Sequence, residues 1–166
     1  EVGLYDDTVI LVFGDHNGLN MYNDEMIEFL RATNPNLNDT EIRLNYTRVA
    51  AGIKIPGVKN IKIEKPTSKL DIKPTLTYLS GIEDGFSLGT NMFDSKEFVS
   101  LNNGRIIGSR YYYDENWYEI ATGNVVELEG LEPEIKEVLD RYYEEMKREL
   151  EISNSVSINN LLDKRR

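Results

Sequence analysis

The stretch Thr8–Gly18, TVILVFGDHNG, decides the predicted fold because it joins an apolar strand to a short polar corner. Its first six residues are β-branched or apolar, a run typical of a strand buried on both faces in a parallel α/β sheet. The corner that follows carries Asp15 and His16, the only histidine of the chain, between two glycines. Because sites in open α/β folds form beyond the carboxyl ends of such strands, this corner is the predicted functional site.

Composition narrows the class of protein. The chain has 166 residues, 40% of them hydrophobic, and a net charge of −10, which argues against a nucleic-acid partner and against adsorption to anionic lipid. It has no cysteine, which excludes disulfides, thiolate metal sites and cysteine nucleophiles. The first strand starts so soon after Glu1 that we expect its sheet neighbours upstream, in a larger protein. Without them, one apolar face of the strand is expected to be exposed.

Alternating helices and strands are predicted for residues 1–95. Asn23 is placed to cap a helix that runs to about residue 33, with Met26, Phe29 and Leu30 on its apolar side. Further predicted elements are strands at 49–55 and 61–64 and a helix at 72–80, capped by Ser68 or Asp71 and ended by Gly81.

The pattern changes after residue 95. Short apolar runs at 98–101, 105–113, 117–122 and 124–128, separated by turn residues, predict an antiparallel meander. A long helix from Glu132 is expected to cover it, followed by a short helix at 152–162 and a frayed end at 163–166. The predicted face of the long helix is Ile135, Val138, Leu139, Tyr142, Met146 and Leu150. The chain is thus predicted as two parts, an α/β part at 1–95 and a small α+β part at 96–166.

Two interpretations of Asp15 and His16 are open from the residues alone. A carboxylate and a neutral imidazole suit manganese, zinc or iron, which makes the pair a candidate metal site. Alternatively, Asp15 caps the next turn and His16 makes a surface hydrogen bond. A metal needs more than two protein ligands, and no others are obvious in the sequence.

Other candidate groups also have two interpretations each. Asp71 is either a ligand or general base, or a helix cap. Tyr111–Tyr113 with Trp117 form either a sugar-stacking platform or the filling of the small sheet. A locally basic stretch either attracts phosphate or is a solvated face; its members are Lys54, Lys59, Lys62, Lys65, Lys69 and Lys73.

The order of motifs resembles the alkaline phosphatase/sulfatase superfamily, and within it the lipoteichoic acid synthases, which are bacterial phosphoglycerol transferases. Gly14-Asp15-His16 with Gly18 is similar to the metal-binding strand end of the superfamily. The matching segments that follow are 53–57 (IKIPG), 68–76 (SKLDIKPTL) with Gly81-Ile82, and 88–91 (LGTN). The resemblance implies the C-terminal portion of an alkaline phosphatase-like α/β core, followed by a small antiparallel sheet packed on a long helix.

The resemblance also implies a metal site. One Mn²⁺, or another divalent cation such as Mg²⁺ or Zn²⁺, would be held by a Glu, a nucleophilic Thr, Asp15 and His16, with His16 also near a phosphate oxygen of the substrate. The Glu and the Thr lie far upstream in the family. No catalytic nucleophile is therefore expected in this chain, and the chain alone is expected to be inactive.

The implied reaction moves glycerol phosphate from a phosphatidylglycerol-type headgroup through the Thr to a polyglycerol phosphate chain. The enzymes of the family are membrane-anchored, with the catalytic domain outside the cell. This sequence departs from the family at Ala50-Ala51 and at Asn17, which keeps a sulfatase, a phosphoethanolamine transferase and a phosphodiester hydrolase open as alternatives. A further alternative is a non-catalytic binding module, with residues 96–166 as an interaction domain.

Overall fold

The computed structural model describes residues 3–17, 19, 23–59 and 61–159. It contains helices and two antiparallel sheets, and the chain divides into two compact units. Unit 1 comprises the described residues of 1–62 with 120–123, and unit 2 those of 63–119 with 124–159. The predicted functional division at residue 95 stays a prediction.

The sheet of unit 1 corrects the parallel, doubly buried strand expected from the sequence. Strand β1 (Ile10–Phe13) pairs antiparallel with β2 (Ala51–Lys54), and the described residues contain no parallel pair. Two strands cannot bury both of their faces, so the apolar run keeps its strand conformation but leaves Val12 68% exposed. The sequence predicted one exposed apolar face, whereas the exposed residues, Val12 and Phe13, are neighbours at the end of the strand and lie on opposite faces.

Helix α1 (Asp24–Thr33) begins where the sequence predicts. The side chain of Asn23 accepts a hydrogen bond of 2.9 Å from the Met26 amide, which satisfies one of the free donors of the first turn. Ile27 and Leu30 form the buried side of the helix, whereas the predicted Phe29 is exposed. The apolar stripe is therefore rotated by part of a turn from the one that the sequence suggested.

Helix α2 (Asp39–Thr47) was not predicted. Its start is a capping box, in which Asn38 accepts from the Glu41 amide at 3.0 Å and Glu41 accepts from the Asn38 amide at 2.9 Å. The same Asn38 donates through Nδ2 to the Ile120 carbonyl at 2.9 Å, inside unit 1. Ile42 of α2 completes a small core with Ile27 and Leu30.

The segment after β2 is partly as predicted. The Val58 amide donates to the Ile55 carbonyl at 3.2 Å, and Gly57 has a φ of 71°, which confirms the predicted turn at Pro56-Gly57. The predicted strand at 61–64 is wrong: those residues have no ladder partner among the described residues, and Ile61 is exposed.

Unit 2 contains the predicted antiparallel meander. Its strands follow one another in the order β3 (Phe98–Ser100), β4 (Ile106–Gly108), β5 (Tyr111–Asp114) and β6 (Asn116–Glu119). The predicted single run at 105–113 is two strands, because the chain turns after Gly108; a Cβ there would lie 3.0 Å from the Tyr111 carbonyl oxygen. The predicted strand at 124–128 is reduced to one bridge, between Tyr118 and Val125.

Helix α4 (Pro133–Asn159) covers this sheet, as predicted. The Phe98 and Tyr142 rings stack with centroids 3.9 Å apart. The predicted face is confirmed, and the buried core of unit 2 is Phe98, Ile106, Trp117, Leu139, Tyr142 and Met146. The separate helix at 152–162 is wrong as far as Asn159, because α4 runs through without a break; residues 160–166, with the predicted frayed end, lie outside the described residues.

The remaining helices of unit 2 precede or follow the sheet strands. A 3-10 turn (Lys69–Asp71) leads into α3 (Ile72–Ser80), and a second 3-10 turn spans Leu128–Gly130. Helix α3 ends at Gly81, whose φ of 64° is the left-handed conformation that favours glycine. The predicted bounds of α3 and its stop are confirmed.

Candidate functional site

Strand β1 ends in a close contact that sets the direction of the polar corner. The Gly14 amide donates to the Ala50 carbonyl at 2.9 Å, which extends the ladder with β2 by one bond. A Cβ on Gly14 would lie 3.1 Å from the Val49 Cβ, tighter than ordinary side-chain packing. The glycine therefore lets the two chains stay close up to the point where Asp15 and His16 begin.

Asp15 and His16 lie side by side at the surface of unit 1. Their side chains are 89% and 77% exposed, and Asp15 Oδ1 is 3.7 Å from His16 Nε2. His16 Nδ1 is 2.9 Å from the Asn17 carbonyl oxygen. Because a carbonyl only accepts, Nδ1 carries the proton, and in the neutral ring Nε2 then holds the lone pair.

The donor set of this corner fits part of a divalent metal site. Two ligand atoms bound to one zinc ion at about 2.1 Å and separated by a tetrahedral angle are about 3.4 Å apart, and the observed separation of Asp15 Oδ1 and His16 Nε2 is 3.7 Å. Among the residues that the structure describes, no group of three or more His, Cys, Asp or Glu side chains could hold a metal ion. The corner thus supplies two donors, and the metal role of Asp15 and His16 stays a prediction beside the surface hydrogen bond that His16 makes.

Asp71 belongs to a buried structural network in unit 2. Its Oδ2 accepts from the Ser68 amide at 2.7 Å, in a capping box that starts the 3-10 turn. Its Oδ1 accepts from the Thr90 amide at 2.9 Å, and the residue is only 5% exposed. With both oxygens engaged and little access to solvent, Asp71 has the capping role rather than that of a ligand or general base.

Thr75 completes this network one helical turn further along α3. Its hydroxyl donates to the Asp71 carbonyl at 2.6 Å and accepts from the Met92 amide at 2.9 Å. Gly89 of the same loop packs so closely on Leu70 that a Cβ would be 2.3 Å from the Leu70 carbonyl. We call these contacts, made by Ser68, Leu70, Asp71, Thr75, Gly89, Thr90 and Met92, the α3 clamp.

The α3 clamp explains the segments that carry the family resemblance at 68–76 and 88–91. Their side chains and glycine fasten the loop to α3 rather than form a reactive centre. The sequence places Asp71 and Thr75 one helical turn apart, which was the available signal for a shared role. Their partners Thr90 and Met92 lie 19 and 17 residues away along the chain, so local patterns could not identify them.

The aromatic residues of the meander fill the sheet of unit 2. Tyr112 and Trp117 are buried, and the Tyr113 ring lies 5.1 Å from Trp117 and 5.2 Å from Tyr143. Burial is the main cause that raises the pKa of the Tyr113 hydroxyl, and its hydrogen bond with Tyr143 raises this pKa further. The sheet-filling interpretation is thus the one that the structure supports.

Two lysines of the basic stretch hold backbone segments in place. Lys54 donates to the carbonyl groups of Tyr5 and Thr8, the latter at 3.1 Å. Lys73 donates to Asp84 at 2.8 Å, and this hydrogen bond lowers the pKa of the Asp84 carboxyl below its ordinary value. These two lysines have structural roles: the charge of Lys73 is paired with the Asp84 carboxylate, and Lys54 donates to neutral carbonyl groups.

Among the residues that the structure describes, no helix is both long enough and apolar enough to cross a membrane.

Comparisons with known proteins give close matches over almost the whole chain, although no family model matches it. Lipoteichoic acid synthase 1 of Bacillus subtilis strain 168 is 31% identical over 168 residues, which cover 98% of this chain and 25% of the relative. Lipoteichoic acid synthase 2 of the same strain is 28% identical over 96% of this chain and 24% of the relative. The lipoteichoic acid synthase of Staphylococcus saprophyticus is 27% identical, again over 96% of this chain and 24% of the relative.

These matches define the class of protein, that of the bacterial lipoteichoic acid synthases. The chain belongs with this family as a lipoteichoic acid synthase-like domain, which confirms the resemblance drawn from its motifs. It spans about a quarter of the length of the curated relatives that it matches.

Proposed function

We propose that the chain is part of the catalytic domain of a metal-dependent phosphoglycerol transferase that makes lipoteichoic acid, and that this domain has the sulfatase-like fold. The observation that carries the proposal is the similarity to lipoteichoic acid synthases along almost the whole chain, which includes the Asp15–His16 corner. The mixture of helices and sheets is compatible with such a fold.

Asp15 and His16 are proposed to hold a divalent cation, Mn²⁺ first and Mg²⁺ or Zn²⁺ as alternatives. Their oxygen and imidazole donors suit these ions, and the hydrogen bond from Nδ1 to Asn17 orients the ring and leaves Nε2 for the metal. When bound, such an ion lowers the pKa of a coordinated hydroxyl and neutralises charge on phosphoryl oxygens. His16 is also proposed to contact a phosphate oxygen of the substrate.

The other groups of the reaction are proposed to lie in the rest of a longer protein. These are the nucleophilic Thr and a Glu ligand, so the chain alone is expected to be inactive. The proposed substrates are a phosphatidylglycerol-type headgroup, which gives up glycerol phosphate, and a polyglycerol phosphate chain, which receives it. The proposed location is the outer side of the cell membrane, with a membrane anchor elsewhere in that protein and no nucleic-acid partner.

Calorimetric titration with Mn²⁺ tests the proposal. It is carried out on this chain and on a version extended upstream to include the proposed Glu and Thr, each with His16→Ala and Asp15→Asn variants. Asp94→Asn is the matched control, because it removes an exposed carboxylate of unit 2, away from the corner. We expect tight binding only in the extended protein, lost in both corner variants and kept in the control.

Two results would count against the proposal. Mn²⁺ binding that does not depend on His16 in either protein would return Asp15 and His16 to surface roles and favour a non-catalytic binding module. Turnover of a phosphate or sulfate ester by the 166-residue chain alone would contradict the split site.

A further inference from the structure

The turn between β3 and β4 places an asparagine followed by a glycine at the surface of unit 2. Asn102 and Asn103 are exposed, and the Gly104 amide donates to the Leu101 carbonyl at 3.0 Å. Gly104 has a φ of 80°, the left-handed conformation that favours glycine. Solvent therefore reaches the Asn103 side chain, and water is available there as a reactant.

The side chain of Asn103 folds forward along the chain, toward the peptide bond that follows it. Its Oδ1 accepts a hydrogen bond of 3.3 Å from the Arg105 amide, two residues further on. Asparagine side chains often make this contact in turns, where it mimics a backbone turn. The ring that this hydrogen bond closes contains both Asn103 Cγ and the Gly104 nitrogen, so the contact keeps these two atoms near each other.

Two features of the turn favour attack of the Gly104 nitrogen on Asn103 Cγ. Gly104 has no side chain, so the approach to its nitrogen is unhindered. The Arg105 amide donates to the oxygen on which negative charge develops during the attack, and a donor in that position stabilises such charge. The Gly104 N–H must first leave the Leu101 carbonyl, which is a local opening of one hydrogen bond in an exposed turn.

We propose that Asn103 is a site of spontaneous deamidation in the folded protein. The Gly104 nitrogen loses its proton to a solvent base and bonds to Cγ, while the bond from Cγ to Nδ2 breaks and Nδ2 leaves as ammonia with a proton from water. A water molecule then opens the resulting five-membered imide. Attack of that water at Cγ gives aspartate, and attack at the main-chain carbonyl carbon gives isoaspartate. Water is the only co-reactant, and the proposal does not depend on the proposed enzyme activity.

Both products change the turn. Each replaces a neutral amide by a carboxylate, and isoaspartate also adds a carbon atom to the main chain before Gly104. The extra atom alters the spacing that allows the Leu101 amide to donate to the Arg105 carbonyl at 2.8 Å. Faster hydrogen exchange of the Leu101 amide is therefore expected in the isoaspartate form.

Peptide mapping by mass spectrometry tests the proposal on the full chain, incubated in mildly alkaline buffer with the fold intact. We expect the peptide that contains Asn103 to convert into two acidic forms of equal mass, aspartate and isoaspartate. Gly104→Ala is expected to lose most of this conversion, because its methyl group hinders the approach of the nitrogen. Asn103→Gln is expected to lose it as well, because the longer side chain does not form the five-membered ring. The other Asn-Gly pair of the chain, Asn17-Gly18, lies in a separate peptide.

Two asparagines of unit 2 are matched internal controls. Asn91 Oδ1 accepts from the Phe93 amide at 3.1 Å, the same forward contact, but a methionine follows it. Asn102 is exposed but is followed by another asparagine. Both are expected to remain amides while Asn103 converts.

Four results would overturn the proposal. These are an Asn103 that stays an amide in the folded protein, conversion that takes place only in urea, conversion of Asn91 or Asn102 as fast as that of Asn103, and conversion of Gly104→Ala at the wild-type rate.

Discussion

Removal of one hydroxyl from the α3 clamp tests how the loop at 88–92 is held. Thr75 is 1% exposed, and its hydroxyl is the acceptor for the Met92 amide at 2.9 Å. Thr75→Val replaces this hydroxyl by a methyl group of similar size, so the loss of the acceptor is the main change. The β-branched shape and the helix propensity of the residue stay nearly the same.

The expected size of the effect follows from the unpaired amide. A donor that is left without its acceptor in a buried site costs about 1–3 kcal/mol of stability, and we expect about 2 kcal/mol for the part-buried Met92 amide. With a urea m-value of about 2 kcal/mol/M, this loss moves the unfolding midpoint to lower urea by roughly 1 M.

Two variants separate this hydrogen bond from other effects of the substitution. The Thr77 hydroxyl bonds only to carbonyl groups of its own helix, at 3.0 and 3.1 Å, so Thr77→Val is expected to cost less than about 0.5 kcal/mol. Thr75→Ser keeps the acceptor and loses one methyl group, which costs about 0.8 kcal/mol.

The assay is urea unfolding followed by the fluorescence of Trp117, the only tryptophan of the chain and a buried residue of unit 2. Hydrogen exchange of the Met92 amide gives a local measurement. Exchange is expected to become much faster in Thr75→Val and to change little in Thr75→Ser. Equal stability losses for Thr75→Val and Thr77→Val, or unchanged protection of Met92, would refute the role given to this hydroxyl.

Three more predictions concern close packing, charge and a side-chain donor. Gly89→Ala is expected to cost at least about 3 kcal/mol because its Cβ would overlap a backbone carbonyl, whereas Gly85→Ala, which has open space, should be nearly neutral in the same urea assay. The hydrogen bond and charge of Arg31 lower the pKa of Asp39 below 3.8. The Arg31–Asp39 pair therefore stabilises the fold above pH 3.8, and this stabilisation is lost as the pH falls through the lowered pKa. Arg31→Gln is expected to raise the Asp39 pKa in an NMR titration and to remove this pH dependence of stability. Asn38→Asp keeps the oxygen that caps α2 but loses the amide donor to the 120–123 turn, and a loss of about 1 kcal/mol is expected from unfolding followed by circular dichroism.

Elements with strong local signals could be predicted from the sequence. Asn23 caps α1 as expected, and the spacing of apolar residues from Ile135 to Leu150 gives the buried face of α4. In both cases the decisive interactions lie within a few residues of each other along the chain, and sequence patterns describe such interactions well.

Helix α2 shows how a local signal can mislead. Its buried residues Thr40, Ile42 and Leu44 alternate along the sequence, which is the period of a strand rather than of a helix. The better signal was the pair Asn38 and Glu41, three residues apart, which is the spacing of a capping box.

Features that depend on distant partners could not be predicted. The run in β1 indicates a strand, but its antiparallel pairing with β2 depends on residues about 40 positions away. The α3 clamp similarly joins Asp71 and Thr75 to the backbone amides of Thr90 and Met92, and a bond to a backbone amide leaves no side-chain pattern in the sequence. Asp15 and His16 were identified because they are neighbours in the sequence. Further ligands of the proposed metal ion would be distant in sequence, where a local motif does not identify them.

The assignment of residues 120–123 to unit 1 affects the order in which the chain can fold during synthesis. Unit 1 is discontinuous: its N-terminal 62 residues emerge first, but the Ile120 carbonyl that Asn38 contacts is made only after β3 to β6 of unit 2. A nascent chain that ends before residue 120 therefore cannot form the hydrogen bond between Asn38 and Ile120. Cleavage between residues 62 and 63 would likewise leave four residues of unit 1 on the fragment that holds all of unit 2, so the N-terminal fragment is an incomplete unit.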